Sequence, residues 1–224
     1  DLITALDGES VQGKTLDEAV DVMRGELGSD ITLSVFRPAT QESFDVTVTR
    51  GNIPLLSVRS VIEDDDIGYI RINRFLGTTG KSLETEIASL KEEAAENDVE
   101  LAGYILDLRN NPGGNLNQSI VVADAFLEQG EIVSVRNRNS EDDASYFAKA
   151  GDLIDGKPLV VLINGGSASA SEIVAGALQD HQRGILLGTP TFGKGSVQTL
   201  IGLGDQGGLR LTTARYYTPS GDSI

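Results

Sequence analysis

The stretch Leu159–Gln198, LVVLINGGSASASEIVAGALQDHQRGILLGTPTFGKGSVQ, constrains this chain more than any other. It opens on a continuous apolar run, Leu159–Ile163, the pattern of a buried strand. Asn164-Gly165-Gly166 breaks the run, and beyond Ser169 the residues Ile173, Ala177 and Leu178 recur at helical spacing. The order is therefore strand, tight glycine turn, helix, with serines at the junction. Amides in the first turn of a helix point outward and carry partial positive charge. A serine placed there can attack a carbonyl while the neighbouring amide receives the developing oxyanion. A second strand, Ile185–Gly188, leads to Phe192-Gly193-Lys194-Gly195-Ser196-Val197-Gln198, where a lysine stands between two glycines.

Ser169 has Glu172 three residues on, the spacing of a capping box. That puts Ser169 at the N-cap and Ala170 at the first helical position. A cap, worth ~1 kcal/mol, is the commoner meaning of S-x-x-E, so spacing alone does not make Ser169 a nucleophile. Three chemistries compete for these residues. A Ser-His-Asp triad would use His181, the only histidine, beside Asp180. His181 lies at the far end of the same helix, about 18 Å from Ser169 at ~1.5 Å per residue, so that triad is excluded. His181 reads instead as a surface residue at a helix C-terminus. A nucleotide-binding loop would use Gly188–Gly195, which nearly fits G-x-x-x-x-G-K-[ST]. It carries Gly195 where a magnesium ligand is needed, and SVQTLIGL after it reads as a strand where a helix is needed. The third is a serine–lysine dyad, in which the lysine takes the serine proton. Such a lysine has to be neutral part of the time, and burial favours the neutral form. Phe192 and Val197 are the apolar cover that the sequence offers Lys194.

NGGSASASEIVAGALQD followed by TFGKGSVQ resembles the active-site region of the carboxy-terminal processing proteases, also called tail-specific proteases. The resemblance implies Ser169 as nucleophile, Lys194 as general base and Gln198 as the residue that orients the lysine. The separation of Ser169 from Lys194 is also the family's. A second glycine loop ends the buried strand at Ala102–Leu108. Paired glycines let backbone amides approach a ligand without side-chain obstruction. LDLRNNPGG, residues 106–114, is similar to the family's oxyanion-hole segment. The resemblance implies that Gly113 or Gly114 supplies an amide that works with that of Ala170, and leaves open which glycine donates.

The first part of the chain has a different texture. Residues 1–50 read as a strand ending at Asp7-Gly8, a helix over Thr15–Gly25 and two alternating strands, Ile31–Arg37 and Phe44–Arg50. This order resembles the C-terminal two-thirds of a PDZ domain, which the family carries before its protease core. The resemblance implies that the helix is one wall of a peptide groove, with Leu16, Val20 and Met23 as candidate lining, although ordinary core packing explains the same apolar stripe. Residues 51–66, with Pro54, read as a linker. Asp64-Asp65-Asp66 lacks calcium-loop spacing and reads as a solvated turn. Residues 67–224 alternate strands and helices. They read as an α/β core, refined by the resemblance to a crotonase-like core of ββα units. Asn137–Lys157 reads as a polar excursion from it.

Composition narrows the partners. The net charge of −16 argues against nucleic acid and anionic membrane surfaces, both of which need a basic patch. Cysteine is absent, so disulfides and thiolate metal sites are too. No apolar run approaches the ~18 residues of a membrane span. The chain starts and stops abruptly, which suggests that its natural termini lie elsewhere. The expectation is therefore a serine endopeptidase that cleaves proteins near exposed C-termini, needs no cofactor, metal or nucleotide, and takes a regulatory or adaptor protein as a further partner. The resemblance implies an extracytoplasmic compartment, a bacterial envelope or a lumen of bacterial origin. The alternative is a non-catalytic binding protein on the same fold.

Overall fold

The computed structural model describes residues 1–52, 56–204 and 207–224. The chain divides into two compact units, Asp1–Leu55 and Leu56–Ile224.

The first unit is a four-stranded antiparallel sheet with one helix. Its strands are β1 (Leu2–Leu6), β2 (Glu9–Ser10), β3 (Asp30–Arg37) and β4 (Glu42–Thr49), in the order β2-β1-β3-β4. Asp7 and Gly8 both take positive φ, 48° and 82°, the geometry of the Asp-Gly hairpin turn that joins β1 to β2. Helix α1 (Leu16–Met23) starts where its sequence says it should. Thr15 accepts from the Glu18 amide, and Glu18 accepts from the Thr15 amide at 2.7 Å.

The second unit carries two sheets. The first runs β11-β10-β7-β6-β5, from Ile185–Gly188 (β11), Leu159–Ile163 (β10), Gly103–Asp107 (β7), Ile67–Ile72 (β6) and Val58–Glu63 (β5). Its pairs are parallel except the β5–β6 hairpin. The linker expected over 51–66 is thus corrected: β5 occupies most of its second half, and Pro54 lies outside the described residues. Asp64-Asp65-Asp66 is the hairpin turn, with positive φ at Asp64 and Asp65. The second sheet is antiparallel, β12-β13-β8-β9, from Ser196–Gly202 (β12), Gly208–Tyr217 (β13), Glu131–Asn137 (β8) and Ala144–Phe147 (β9). Strand β9 lies inside the expected polar excursion. Helices α2 (Thr79–Glu96), α3 (Leu116–Asp124) and α4 (Ala170–Asp180) complete this mixed α/β unit.

One apolar cluster holds the second unit together. Ile70, Leu106 and Val161 from the parallel strands meet Leu83 and Leu90 of α2, Val122 of α3, Val174 and Leu178 of α4, and Ile132 of β8. Burying each such side chain stabilises the fold by about 1.5–3 kcal/mol. Strands β7 and β10 are parallel neighbours in this core, with Leu162 opposite Asp107. Both glycine loops therefore leave the same edge of the sheet side by side, at the strand ends where open α/β sheets place their ligands. Among the described residues no helix is long and apolar enough to cross a membrane.

Candidate active site

The turn between β10 and α4 and the first turn of α4 hold the three serines, and the structure separates them. The Ser167 hydroxyl is buried and donates to the Leu108 carbonyl at 2.8 Å, while accepting from the Asn164 amide at 3.0 Å. Ser171 is also buried and donates to the Asn111 carbonyl at 2.9 Å. Both serines fasten their turn to the neighbouring 108–111 segment. Ser169 is half-buried, and no cap hydrogen bond engages its hydroxyl. The Glu172 half of the capping box is made, with the Ser169 amide donating to Oε2 at 2.7 Å. The other half is loose, because the Glu172 amide bonds the Ser169 carbonyl at 2.9 Å. The Ser169 hydroxyl therefore contributes at most a weak cap.

Ser169 also has an unusual backbone, φ 55° and ψ −111°. A non-glycine residue there is strained, and such strain collects at functional sites. A sharp strained turn between a strand and a helix lifts a serine hydroxyl out of the chain. The cause here is local. Asn164-Gly165-Gly166 ends the strand, and the Phe192 amide donates to the Ser167 carbonyl at 3.0 Å. The chain then has to reverse within a few residues before α4 can begin.

The second glycine loop packs directly on this turn. Gly113 has φ 93°, and a Cβ there would lie 2.6 Å from the Ala168 carbonyl, 2.9 Å from the Ala170 nitrogen and 3.0 Å from the Ser169 Cβ. Only glycine permits that approach. The buried Asn111 sets the loop: its side chain donates to the Ile72 carbonyl at 2.8 Å and accepts from the Gly113 amide at 2.9 Å. The Gly113 amide is thereby occupied. Those of Gly114 and Ala170 donate to no group among the described residues. Asn110 and Asn164 tie the two loops together further. The Asn110 amide meets the Asn164 Oδ1 at 2.9 Å, and the Asn164 side-chain amide returns to the Asn110 Oδ1 at 3.1 Å.

Beneath the loop, at the end of β7, the fully buried Asp107 accepts from Tyr69 at 2.6 Å, from the Arg109 amide at 2.9 Å and from two guanidinium nitrogens of Arg109 at 2.9 and 2.8 Å. Burial alone would push its carboxyl up. The bonds from Arg109 and Tyr69 outweigh that and hold it below the usual carboxylate range. Tyr69 is pushed the other way, by burial first and by its bond to Asp107 second.

Lys194 is where the expectation and the structure part. Its backbone amide donates to Glu172 Oε2 at 2.8 Å, and the Gly193 amide donates to Oε1 at 2.6 Å. The buried Glu172 carboxylate, 5 % exposed, therefore gathers three amides from both sides of the site. The amides of Ser169 and Lys194 share one oxygen. The side chain of Lys194, however, is exposed and makes no hydrogen bond or ion pair among the described residues. The apolar cover expected from Phe192 is missing, since that ring is 68 % exposed. Gln198, on β12 opposite Thr212, is exposed and outside the cavity of about 410 Å³ that Lys194 lines with Arg215 and Ile224. Among the described residues no hydrogen bond joins the side chains of Ser169, Lys194 and Gln198.

His181 caps the far end of α4, and its Nε2 lies 2.7 Å from the Glu131 carbonyl, remote from Ser169. The residues after Gly195 form strand β12, not the helix that a nucleotide-binding loop needs. In the first unit, Leu16 and Met23 line a cavity of about 360 Å³ with Ile3, Leu6, Val11 and Ala19. Val20 is not part of its wall. Sequence reasoning missed the Glu172 link and the roles of Asn111 and Asp107. A buried-type asparagine beside Pro112-Gly113-Gly114 was the available signal for Asn111.

A model of peptidase family S41 matches residues 66–224. The chain belongs to peptidase family S41. It is 53 % identical to a carboxy-terminal-processing protease of Bartonella bacilliformis over 224 residues, all of this chain and 51 % of that protein. It is 38 % identical to the carboxy-terminal processing protease CtpA of Bacillus subtilis, over all of this chain and 46 % of the relative. The solved structure of a photosystem II D1 C-terminal processing protease superposes with a TM-score of 0.66 at 31 % identity, covering 99 % of this chain and 59 % of that one. The chain thus spans about half the length of the curated relatives it matches.

Proposed function

We propose that this S41 chain carries the catalytic centre of a serine endopeptidase that cleaves polypeptides near their C-termini. Ser169 is the nucleophile, Lys194 the general base and Gln198 the residue that orients it. The observation that carries the reading is Ser169 itself, the one serine of the turn whose hydroxyl is not engaged, held at a strained strand-to-helix junction. Attack by its Oγ on a peptide carbonyl creates an oxyanion beside the open amides of Ala170 and Gly114. Gly114 is the donor we favour, because the Gly113 amide is already bonded to Asn111. The serine proton passes to Lys194 and then to the leaving amine, and water resolves the acyl-enzyme.

In this reading a rotation of the Lys194 side chain brings it to Ser169, with no new loop needed. Glu172 Oε2 is 2.7 Å from one amide and 2.8 Å from the other, so the two backbones are no further apart than those lengths together. The flexible four-carbon stem of a lysine spans such a gap.

Residues 1–50 are proposed as the C-terminal part of a PDZ domain that recognises substrate tails at Leu16 and Met23, and residues 67–224 as a crotonase-like core. An extracytoplasmic location accompanies this reading. The exposed Lys194 favours a second reading, a non-catalytic binding protein, and one experiment separates the two. The complete protein is incubated with an unfolded polypeptide, alongside its Ser169→Ala variant. Cleavage that the substitution abolishes supports the protease, and an inert complete protein supports the binder.

A further inference from the structure

Lys194 stands at one end of a row of cations. Its cavity shares Arg215 with a neighbouring cavity of about 320 Å³ lined by Arg136 and Arg138. Arg215 on β13 and Arg136 on β8 are direct cross-strand partners, and both are exposed. Their neighbours along the strands, Tyr216 and Val135, are buried, so the two arginines share the outer face of the sheet. Arg138 follows one residue past β8.

Like charges directly opposite on a sheet face destabilise it. This chain has 34 acidic residues against 18 basic ones, so carboxylates to neutralise the pair are plentiful. None does so. No ion pair among the described residues includes Arg136, Arg138 or Arg215. Glu131 and Asp143 line a separate cavity with Arg136, and Asp143 is engaged with the Asn137 amide at 2.6 Å. Arg136 is held in place, its guanidinium lying 4.0 Å over the Tyr217 ring, which leaves its edge free to donate.

We propose that this groove binds an acidic segment of the polypeptide substrate, carboxylate side chains pairing with Arg136, Arg138 and Arg215. The inference rests on the peptidase reading and adds a substrate class to it. Arg215 faces Arg136 directly across the strands, about 5 Å away at Cβ, and Arg138 follows two residues after Arg136 in the bend that ends β8. An extended peptide puts alternate side chains roughly 7 Å apart on one face, within the reach of such long side chains. The guanidinium fork suits carboxylates. The acidic remainder of the surface repels such a segment and leaves the groove as the place that attracts it.

The test separates binding from turnover. Binding of a fluorescent peptide with aspartate at alternate positions, and of its asparagine twin, is measured on the complete protein carrying Ser169→Ala. The aspartate peptide is expected to bind roughly 10-fold tighter at low ionic strength, with the difference lost in high salt. Replacing the three arginines by glutamine removes the preference, and replacing them by lysine keeps most of it. No preference in the unaltered groove, a preference that survives the glutamine changes, or a single-stranded RNA that displaces the aspartate peptide would overturn the groove assignment. Absence of neutral-substrate cleavage in the complete wild-type protein would instead count against the peptidase reading.

Discussion

Glu172 holds the backbone of Lys194. Its Oε2 accepts from the Lys194 amide at 2.8 Å, and the same oxygen accepts from the Ser169 amide at 2.7 Å. A residue that reads as half of a helix cap therefore joins the loop of the proposed base to the turn of the proposed nucleophile.

Glu172→Gln replaces one acceptor oxygen by an NH2 group that cannot receive an amide. Three buried donors then face two acceptor lone pairs and a clash. Stability should fall by about 1–3 kcal/mol. Activity should fall further than stability predicts, by ~100-fold in kcat/KM, because a small misplacement of reacting groups is enough. Rates and thermal midpoints of the variant in the complete protein check this. Unchanged kcat/KM would reduce Glu172 to a cap.

Ser169→Ala and Ser169→Gly should both be inactive, yet differ in stability. Alanine keeps the strain at φ 55° and loses at most a weak cap contact, so its midpoint should stay near wild type. Glycine reaches this conformation freely and should stabilise the fold by about 1 kcal/mol. Denaturant titration of the two variants decides it. A glycine variant less stable than alanine would mean that the turn is not strained.

How much of this was legible follows the range of each interaction. The strand-turn-helix around Ser169 is written in neighbours: an apolar run, two glycines and a helical stripe. The Asp-Gly hairpin and the Thr15–Glu18 cap are equally local. The Glu172–Lys194 bond spans 22 residues, and the local capping role already accounted for Glu172. Strand β5 hid because VRSVIE puts Arg59 and Ser60 among its apolar residues, and β9 because ASYF is only four residues long within a polar segment. The exposure of Lys194 was illegible for another reason. Phe192 and Val197 are near in sequence, but nearness does not say which way a ring points, and Phe192 points to solvent.

Leu16 and Met23 line the cavity on α1, and Val20 does not. Leu16, 78 % exposed, contributes little to the fold. Leu16→Ala and Met23→Ala in the complete protein should raise KM for long tailed polypeptides by several-fold and leave short peptides alone. Val20→Ala should do neither. Parallel loss on both substrate types for Leu16→Ala would remove α1 from recognition.

Asp107 gives the fold a dependence on acid. Its folded carboxyl ionises more readily than an unfolded one because Arg109 and Tyr69 bond the anion. A lowered carboxylate contributes stability above the unfolded value, ~3.9, and loses it as pH falls through the folded one. Asp107→Asn should cost roughly 2 kcal/mol at neutral pH, and the gap to wild type should narrow below pH ~4. Urea midpoints across that range check it. A gap that stays constant would assign the cost to packing alone.

Lys194→Arg tests the base. Arginine keeps the positive charge and the length needed to reach Ser169, but it does not give up its proton. If Lys194 accepts the serine proton, the arginine variant should be as inactive as Lys194→Ala across the whole pH range in which wild type works. The Glu172 bonds go to the main chain of residues 193 and 194, so neither substitution should disturb the loop. Thermal midpoints of both variants should therefore stay near wild type, which separates lost chemistry from lost structure. The measurement is kcat/KM against pH for the three proteins. Substantial turnover by Lys194→Arg would return Lys194 to the row of cations it shares with Arg215, as a residue that holds an anion rather than one that moves a proton.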